Sequence, residues 1–403
     1  VAELQHDLHV AGDIIESEHA HIAQTYKRGP MVLSHGEGVT VWDTEGNAYL
    51  DFVAGIAVNA LGHSDPGVAR VLAEQAGQLV HTSNLYYTIP GTLLAEKLTA
   101  NSFADKVFFT NSGTESNEGA IKFARKFARA NCGGEDKVQI VAFDHAFHGR
   151  TMGSVALTPK EIYQAPFRPL MPGVTIAPFN DIEALKTAID EKTCAVFIEP
   201  VQGEGGIHEA SPEFLKALRA RCDEVGALLI FDEVQCGLGR TGDLWGHSVS
   251  GVEPDIMTLA KPLAGGLPIG AILMTDRVAS AMNAGEHGTT FGGGPLIAAV
   301  ANHVFDRIDQ PEFLAHVRAT GEYLKERLAE INSPHIVEIR GRGLMIGVEL
   351  DIPVAEIITK GYAKGLLLVN AGTNILRLLP PLIVENAHID TFIDRLTEIL
   401  AEL

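Results

Sequence analysis

The chain has 403 residues, 46% hydrophobic and 20% charged, with 31 Lys+Arg against 51 Asp+Glu for a net charge of −20. That length favours two or three lobes over one core, and the composition is that of a soluble globular protein. The acidity excludes the basic face of a nucleic-acid binder, though not a local cationic pocket, and no apolar run reaches the roughly 18 residues of a membrane span.

Residues 1–14, VAELQHDLHVAGDI, lack a basic start followed by an apolar core, so no secretory signal is expected. Because the sequence begins with Val, a removed targeting segment stays open. Cys132, Cys194, Cys222 and Cys236 form no C-x-x-C, which suits a reducing, cytoplasmic compartment. His19 with His21 and His145 with His148 come without H-E-x-x-H or a Cys cluster, so no metal site is expected.

VTVWDTEGNAYLDF (39–52) alternates around a turn at Asp43–Asn47 and predicts strand, turn, strand. From about residue 90 short apolar runs follow one another: VFFT (107–110), VQIVAF (138–143), AVFIEP (195–200), ALLIFD (227–232), DIMTLA (255–260) and GAILM (270–274). Helical patterns such as EGAIKFARKFARA and SPEFLKALRARCDEVG lie between them. This rhythm predicts an α/β fold, a mostly parallel sheet covered on both faces. After about residue 300 helices and the short strands LMIGVEL, LLLVN and ILRLLP predict a smaller α+β domain, closed by HIDTFIDRLTEILAEL.

Gly237-Leu238-Gly239-Arg240-Thr241-Gly242 fits the dinucleotide fingerprint G-x-G-x-x-G. That motif works on a strand-to-helix turn. Here TGDLWGHSVSGVEP follows without helical period, so a packed glycine loop is the better reading.

In a parallel α/β sheet ligands sit at the carboxyl ends of the strands. VFFT delivers Asn111-Ser112-Gly113-Thr114-Glu115, a capping-box pattern opening a helix whose free N–H groups suit an anion. VQIVAF delivers Phe147 and Arg150; AVFIEP delivers Glu199 and then Gln202-Gly203-Glu204-Gly205-Gly206. ALLIFD delivers Asp232 and Gln235; DIMTLA delivers Lys261. A lysine ending a buried strand loses charge to desolvation, and a neutral amine is a nucleophile able to form a Schiff base. Pyridoxal 5'-phosphate (PLP) needs such a lysine, a carboxylate for its ring nitrogen and an anion site for its phosphate. A structural Lys261–Asp232 ion pair explains less, because it leaves the anion site without a use.

On these stretches the sequence resembles the class III, fold type I, PLP-dependent aminotransferases. LLIFDEVQCGLGRTGDLW and PDIMTLAKPLAGGLPIGA look like that group's signature region. DFVAGIAVNALGH, HTSNLYY, FTNSGTESNEGAIK, FDHAFHGRT, IEPVQGEGG, HGTTFGGGP and RLLPPL are most similar to the acetylornithine aminotransferase branch. The resemblance implies a segment of residues 1–60 contributing to the small domain, a large PLP-binding domain over 61–300 and a C-terminal small domain over 301–403.

It further implies Lys261 and Asp232 as catalytic residues, with Ser112, Gly113, Thr114, Phe147 and Gln235 holding the cofactor. Thr290 is placed like a phosphate ligand donated to a neighbouring subunit, which implies a homodimer with a shared site. Arg150, Thr289 and Arg377 resemble substrate-binding residues, and Glu199 resembles the switch that covers Arg377 when the substrate does not need it. Gly294 departs from the Asn of many relatives, and Pro262 from their Ala.

The implied reaction moves the δ-amino group of N2-acetylornithine to 2-oxoglutarate, giving N-acetylglutamate semialdehyde and glutamate, in arginine biosynthesis. The alternatives are another ω-amine donor (ornithine, succinylornithine, an acylated lysine or diaminopimelate intermediate, 4-aminobutyrate), an aminomutase, and a nicotinamide-dependent oxidoreductase using GLGRTG.

Overall fold

A computed structural model describes residues 11–132 and 136–403. The first ten residues of the expected N-terminal segment lie outside the described residues.

Strands β1 (Leu33–Glu37), β2 (Thr40–Asp43) and β3 (Ala48–Asp51) form an antiparallel meander. Its second turn is the one legible at Asp43–Asn47: Asp43 Oδ1 accepts from the Glu45 and Asn47 amides, both at 2.9 Å. The central sheet uses β4 (Lys106–Thr110), β5 (Gln139–Phe143), β6 (Val174–Ala177) and β7 (Thr193–Ile198). After the two-residue pair β8 (Val201–Gln202) and β9 (His208–Glu209) come β10 (Leu228–Asp232), β11 (Ile256–Leu259) and β12 (Gly270–Met274). The seven strands run in the order β4-β12-β11-β10-β7-β5-β6, parallel except that β12 is antiparallel to both its neighbours.

Alternate residues of the central strands enter opposite cores, as a pleat requires. Ile140, Ala142, Phe197, Leu228 and Ile230 pack with Ile121, Phe123 and Phe127 of the helix Gly113–Asn131. Val141, Phe143, Ile198, Leu229 and Phe231 pack with Phe214, Leu215 and Leu218 of the helix Pro212–Val225. Burial on both faces explains why these strands read as continuous apolar runs.

The C-terminal part folds β13 (Ile336–Arg342), β14 (Met345–Leu350), β15 (Leu366–Leu367), β16 (Val369–Asn370) and β17 (Ile375–Leu378) with four helices between residues 295 and 401. The run LLLVN, expected as one strand, is divided. β15 joins β3 in parallel, whereas β16 pairs with β17. A residue near 366 therefore shares a sheet with residues near 50. No helix of the described residues is long and apolar enough to cross a membrane.

Candidate active site

The strand ends meet in a cavity of about 250 Å³ lined by Gly113, Thr114, Phe147, Arg150, Asp232 and Lys261, with Asn117, His148, Glu199, Val234 and Gln235. Four larger depressions, of about 710, 790, 860 and 450 Å³, lie elsewhere and collect none of these groups.

Asp232 ends β10 and is buried. Its Oδ2 accepts from Asn117 Nδ2 at 2.7 Å and from His148 Nδ1 at 2.8 Å, and its Oδ1 accepts from the Val234 amide at 3.0 Å. The Thr258 hydroxyl donates to Asn117 Oδ1 at 2.8 Å and so turns the amide nitrogen towards Asp232. Burial works against charge on His148, but the hydrogen bond and charge of Asp232 outweigh it and raise its pKa.

Lys261 follows β11 and opens the short 3-10 turn Lys261–Ala264. Pro262 falls in the first turn, where a missing N–H costs nothing. Desolvation by the cavity wall, and then the Arg377 guanidinium, lower the Lys261 amine to about 8. Glu204, Asp232 and Glu199 act in the other direction.

Ser112 caps the helix Gly113–Asn131 by accepting from the Glu115 amide at 3.3 Å. Glu115 reaches back one residue further than a capping box does, accepting from the Asn111 amide at 2.8 Å. A Cβ on Gly113 would lie 2.6 Å from Val234, and one on Gly149 (φ +131) 2.2 Å from Thr114 Oγ1. The glycines thus keep the amides of the first helical turn open to an anion. Phe147 and Arg150 lie on the next loop, where the Arg150 guanidinium sits 3.4 Å from the centre of the Tyr163 ring and 5.7 Å from that of Phe147.

One expectation needs correction. Glu199 does not cover Arg377. Its Oε1 accepts from the Phe147 amide at 2.9 Å and its Oε2 from the Gly203 amide at 3.0 Å, so it ties two loops together. Burial drives its pKa up to about 7. The carboxylate on Arg377 belongs to Glu204, at 2.7 Å. The distinction is one of reach: Glu199 directly follows β7 and is spent on backbone donors, while Glu204 stands between glycines on the loop beyond. Arg377, on β17 and only 1% exposed, also donates to Gln235 Oε1 at 3.1 Å and to the Asn370 carbonyl at 3.2 Å.

Thr289 and Thr290 are apart from this cavity. Thr289 Oγ1 accepts from Asn111 Nδ2 at 3.1 Å, and Thr290 is exposed. Asn117, His148 and Glu204 were not singled out from sequence. Only Glu204 carried a signal, its flanking glycines.

These groups fit PLP: an amine lowered to about 8, a buried carboxylate lining the same cavity, a helix start shaped by glycines and an aromatic face. Fold and site together define a PLP-dependent transferase of fold type I. A family model described as Aminotransferase class-III matches residues 21–400. The chain is 52% identical to the mitochondrial acetylornithine aminotransferase of Alnus glutinosa, over 98% of this chain and 89% of that one. With the acetylornithine aminotransferase of Methanocaldococcus jannaschii it shares 49% over 96% and 98%. Among solved structures, the N-acetylornithine aminotransferase of Stenotrophomonas maltophilia is similar with TM-score 0.83 and 39% identity, covering 96% and 98%. An ornithine aminotransferase of Toxoplasma gondii, whose structure records partial occupancy of PLP at its active site, is similar with TM-score 0.94 and 31% identity, covering 98% and 95%. The chain belongs to the class-III aminotransferases, and its cofactor is PLP.

Proposed function

We propose that the protein transfers the δ-amino group of N2-acetylornithine to 2-oxoglutarate, giving N-acetylglutamate semialdehyde and glutamate. The Arg377–Glu204 pair carries this reading. The donor reacts at its terminal amine, far from its carboxylate. The acceptor reacts at a carbon that bears a carboxylate. One cavity serves both if an arginine fork, suited to a carboxylate, is covered in one half-reaction and free in the other. The names of the relatives at 52% and 49% identity support the acylated donor.

Bound PLP supplies an aldehyde for the amine and a conjugated ring that stores the electron pair left by proton removal. Lys261 would bond the aldehyde, Asp232 would hold the ring nitrogen, Gln235 the ring hydroxyl and Phe147 a ring face. Ser112, Gly113 and Thr114 would hold the phosphate. Once the substrate amine has freed it, Lys261 Nζ takes the proton from the amine-bearing carbon and returns it as general acid. Arg150 faces the distal part of the substrate, and Thr289, apart from this cavity, is assigned with Thr290 to the neighbouring subunit's site.

We further propose a homodimer in which Thr290 completes the neighbour's phosphate site. The exposed Leu85, Tyr86, Tyr87, Ile89 and Phe291 form an apolar set in need of a cover. Asn84 joins the two segments by donating to the carbonyls of Thr289 and Gly292 at 3.2 and 3.1 Å. A cytoplasmic role in arginine biosynthesis fits four free cysteines.

The test is a half-reaction. Purified holoenzyme receives N-acetylornithine, ornithine or 4-aminobutyrate without a keto acid. Fast bleaching of the visible cofactor band by N-acetylornithine is expected, and preference for either other amine would overturn the substrate assignment.

A further inference from the structure

One cation beside the Arg377–Glu204 pair has no part in the chemistry above. Lys160 Nζ donates to the backbone carbonyl of Glu204 at 3.1 Å, its single hydrogen bond among the described residues. It forms no salt bridge there, and it stands 5.7 Å from the centre of the Tyr163 ring that carries Arg150 on its face.

We propose that Lys160 is the second seat of the Glu204 carboxylate: when a substrate carboxylate takes Arg377, the Glu204 side chain turns onto Lys160 Nζ. Lys160 is then a positioning residue for dicarboxylate recognition, a role that rests on the gated-arginine reading.

Three observations carry this. First, the loop backbone is pinned, so the switch is a side-chain rotation. A Cβ on Gly203 would lie 2.4 Å from Gln235 Oε1 and one on Gly205 2.7 Å from the His145 carbonyl, which shows how closely this backbone is packed. The Gly203 amide is held by Glu199 at 3.0 Å and the Gly206 carbonyl by Arg340 Nε at 2.8 Å. Second, the carboxylate cannot be released into water at no cost. The Glu204 side chain is 20% exposed and that of Arg377 1%, and a displaced charge inside such a site needs a new partner. Third, the other nearby cations are engaged. Arg150 lies on the Tyr163 face, and Lys261 serves the cofactor. Lys160 keeps two donors in hand and already touches the residue whose carboxylate must move. Burial lowers its pKa, and the strongest opposing influence is the Glu204 charge, followed by that of Glu199.

The probe is glutarate, a dicarboxylate without a keto group, titrated into holoenzyme by calorimetry. Lys160→Met should weaken glutarate about tenfold, or ~1.4 kcal/mol, because displaced Glu204 loses its seat. Lys160→Arg should restore most of the affinity. In a Glu204→Ala background Lys160→Met should change glutarate binding less than about twofold, since the two residues act as a unit. Unchanged affinity in Lys160→Met, the same loss in the Glu204→Ala background, or no glutarate binding by the unaltered enzyme would each overturn the proposal. The cycle does not depend on the amine. If it behaves as expected while N-acetylornithine fails as donor, the seat stands and the substrate assignment falls.

Discussion

Lys261 lines the cavity, and the Arg377 guanidinium near it adds to the cost of its charge. With its amine lowered to about 8, Lys261 is protonated in the folded protein only below that pH, whereas in the unfolded chain it keeps its proton to about 10.4. Between those values the unfolded state binds more protons, so this group adds stability to the cofactor-free protein as pH rises. The same shift should set the pH dependence of cofactor capture. The rate at which cofactor-free protein regains its visible band should rise with pH with a midpoint near 8; a midpoint near the ordinary lysine value would show that the wall does not desolvate the amine. Lys261→Ala should abolish turnover while the circular dichroism and melting profile stay those of a folded protein. Arg377→Ala should cost 2-oxoglutarate about 2–4 kcal/mol, roughly 30- to 1,000-fold in kcat/KM, since a buried bidentate partner is lost. A smaller effect on 2-oxoglutarate than on the amine donor would reassign the arginine.

At the scale of elements, the glycine loop after β10 finds its purpose in packing. Arg240 is buried and donates to the carbonyls of Leu344 at 2.9 Å and Pro380 at 2.6 Å, while the Leu344 amide donates back to the Arg240 carbonyl at 3.0 Å. Gly343, in the turn between β13 and β14, would place a Cβ 2.4 Å from the Thr241 backbone. Gly321, in the helix Pro311–Ala329, would place one 2.1 Å from the Gly343 carbonyl. Helix, hairpin turn and loop therefore stack through backbone, and this contact sets β17, with Arg377, beside the end of β10. Gly321→Ala should cost about 1–3 kcal/mol in urea unfolding, the usual range for overpacking. No change in midpoint would mean that the contact is slack.

For the molecule as a whole, the proposed dimer makes a prediction of its own. Tyr86→Asp combined with Tyr87→Asp should give a monomer by light scattering with little turnover, because charge on a face that must be buried opposes association. A native protein that is fully active as a monomer would remove Thr290 from the site.

What the sequence determined by itself was local. Each central strand was legible because burial on both faces leaves continuous apolar runs, although the edge strand β6, half-covered, gave no such signal. Asp232 and Lys261 were legible because a charged residue ending an apolar strand stands out against it. Gly113 and Ser112 showed themselves through cap chemistry. The tertiary structure decided which groups meet across distance. Glu199 and Glu204 read alike in the chain, five positions apart on one glycine-rich segment. Only the fold shows that the first spends its oxygens on the Phe147 and Gly203 amides while the second reaches an arginine more than a hundred residues away. Asn117 and His148 were silent for the same reason. Their role is set by the meeting of a helix, a loop and a strand end at Asp232, and no periodicity or local motif records a contact made between segments so far apart.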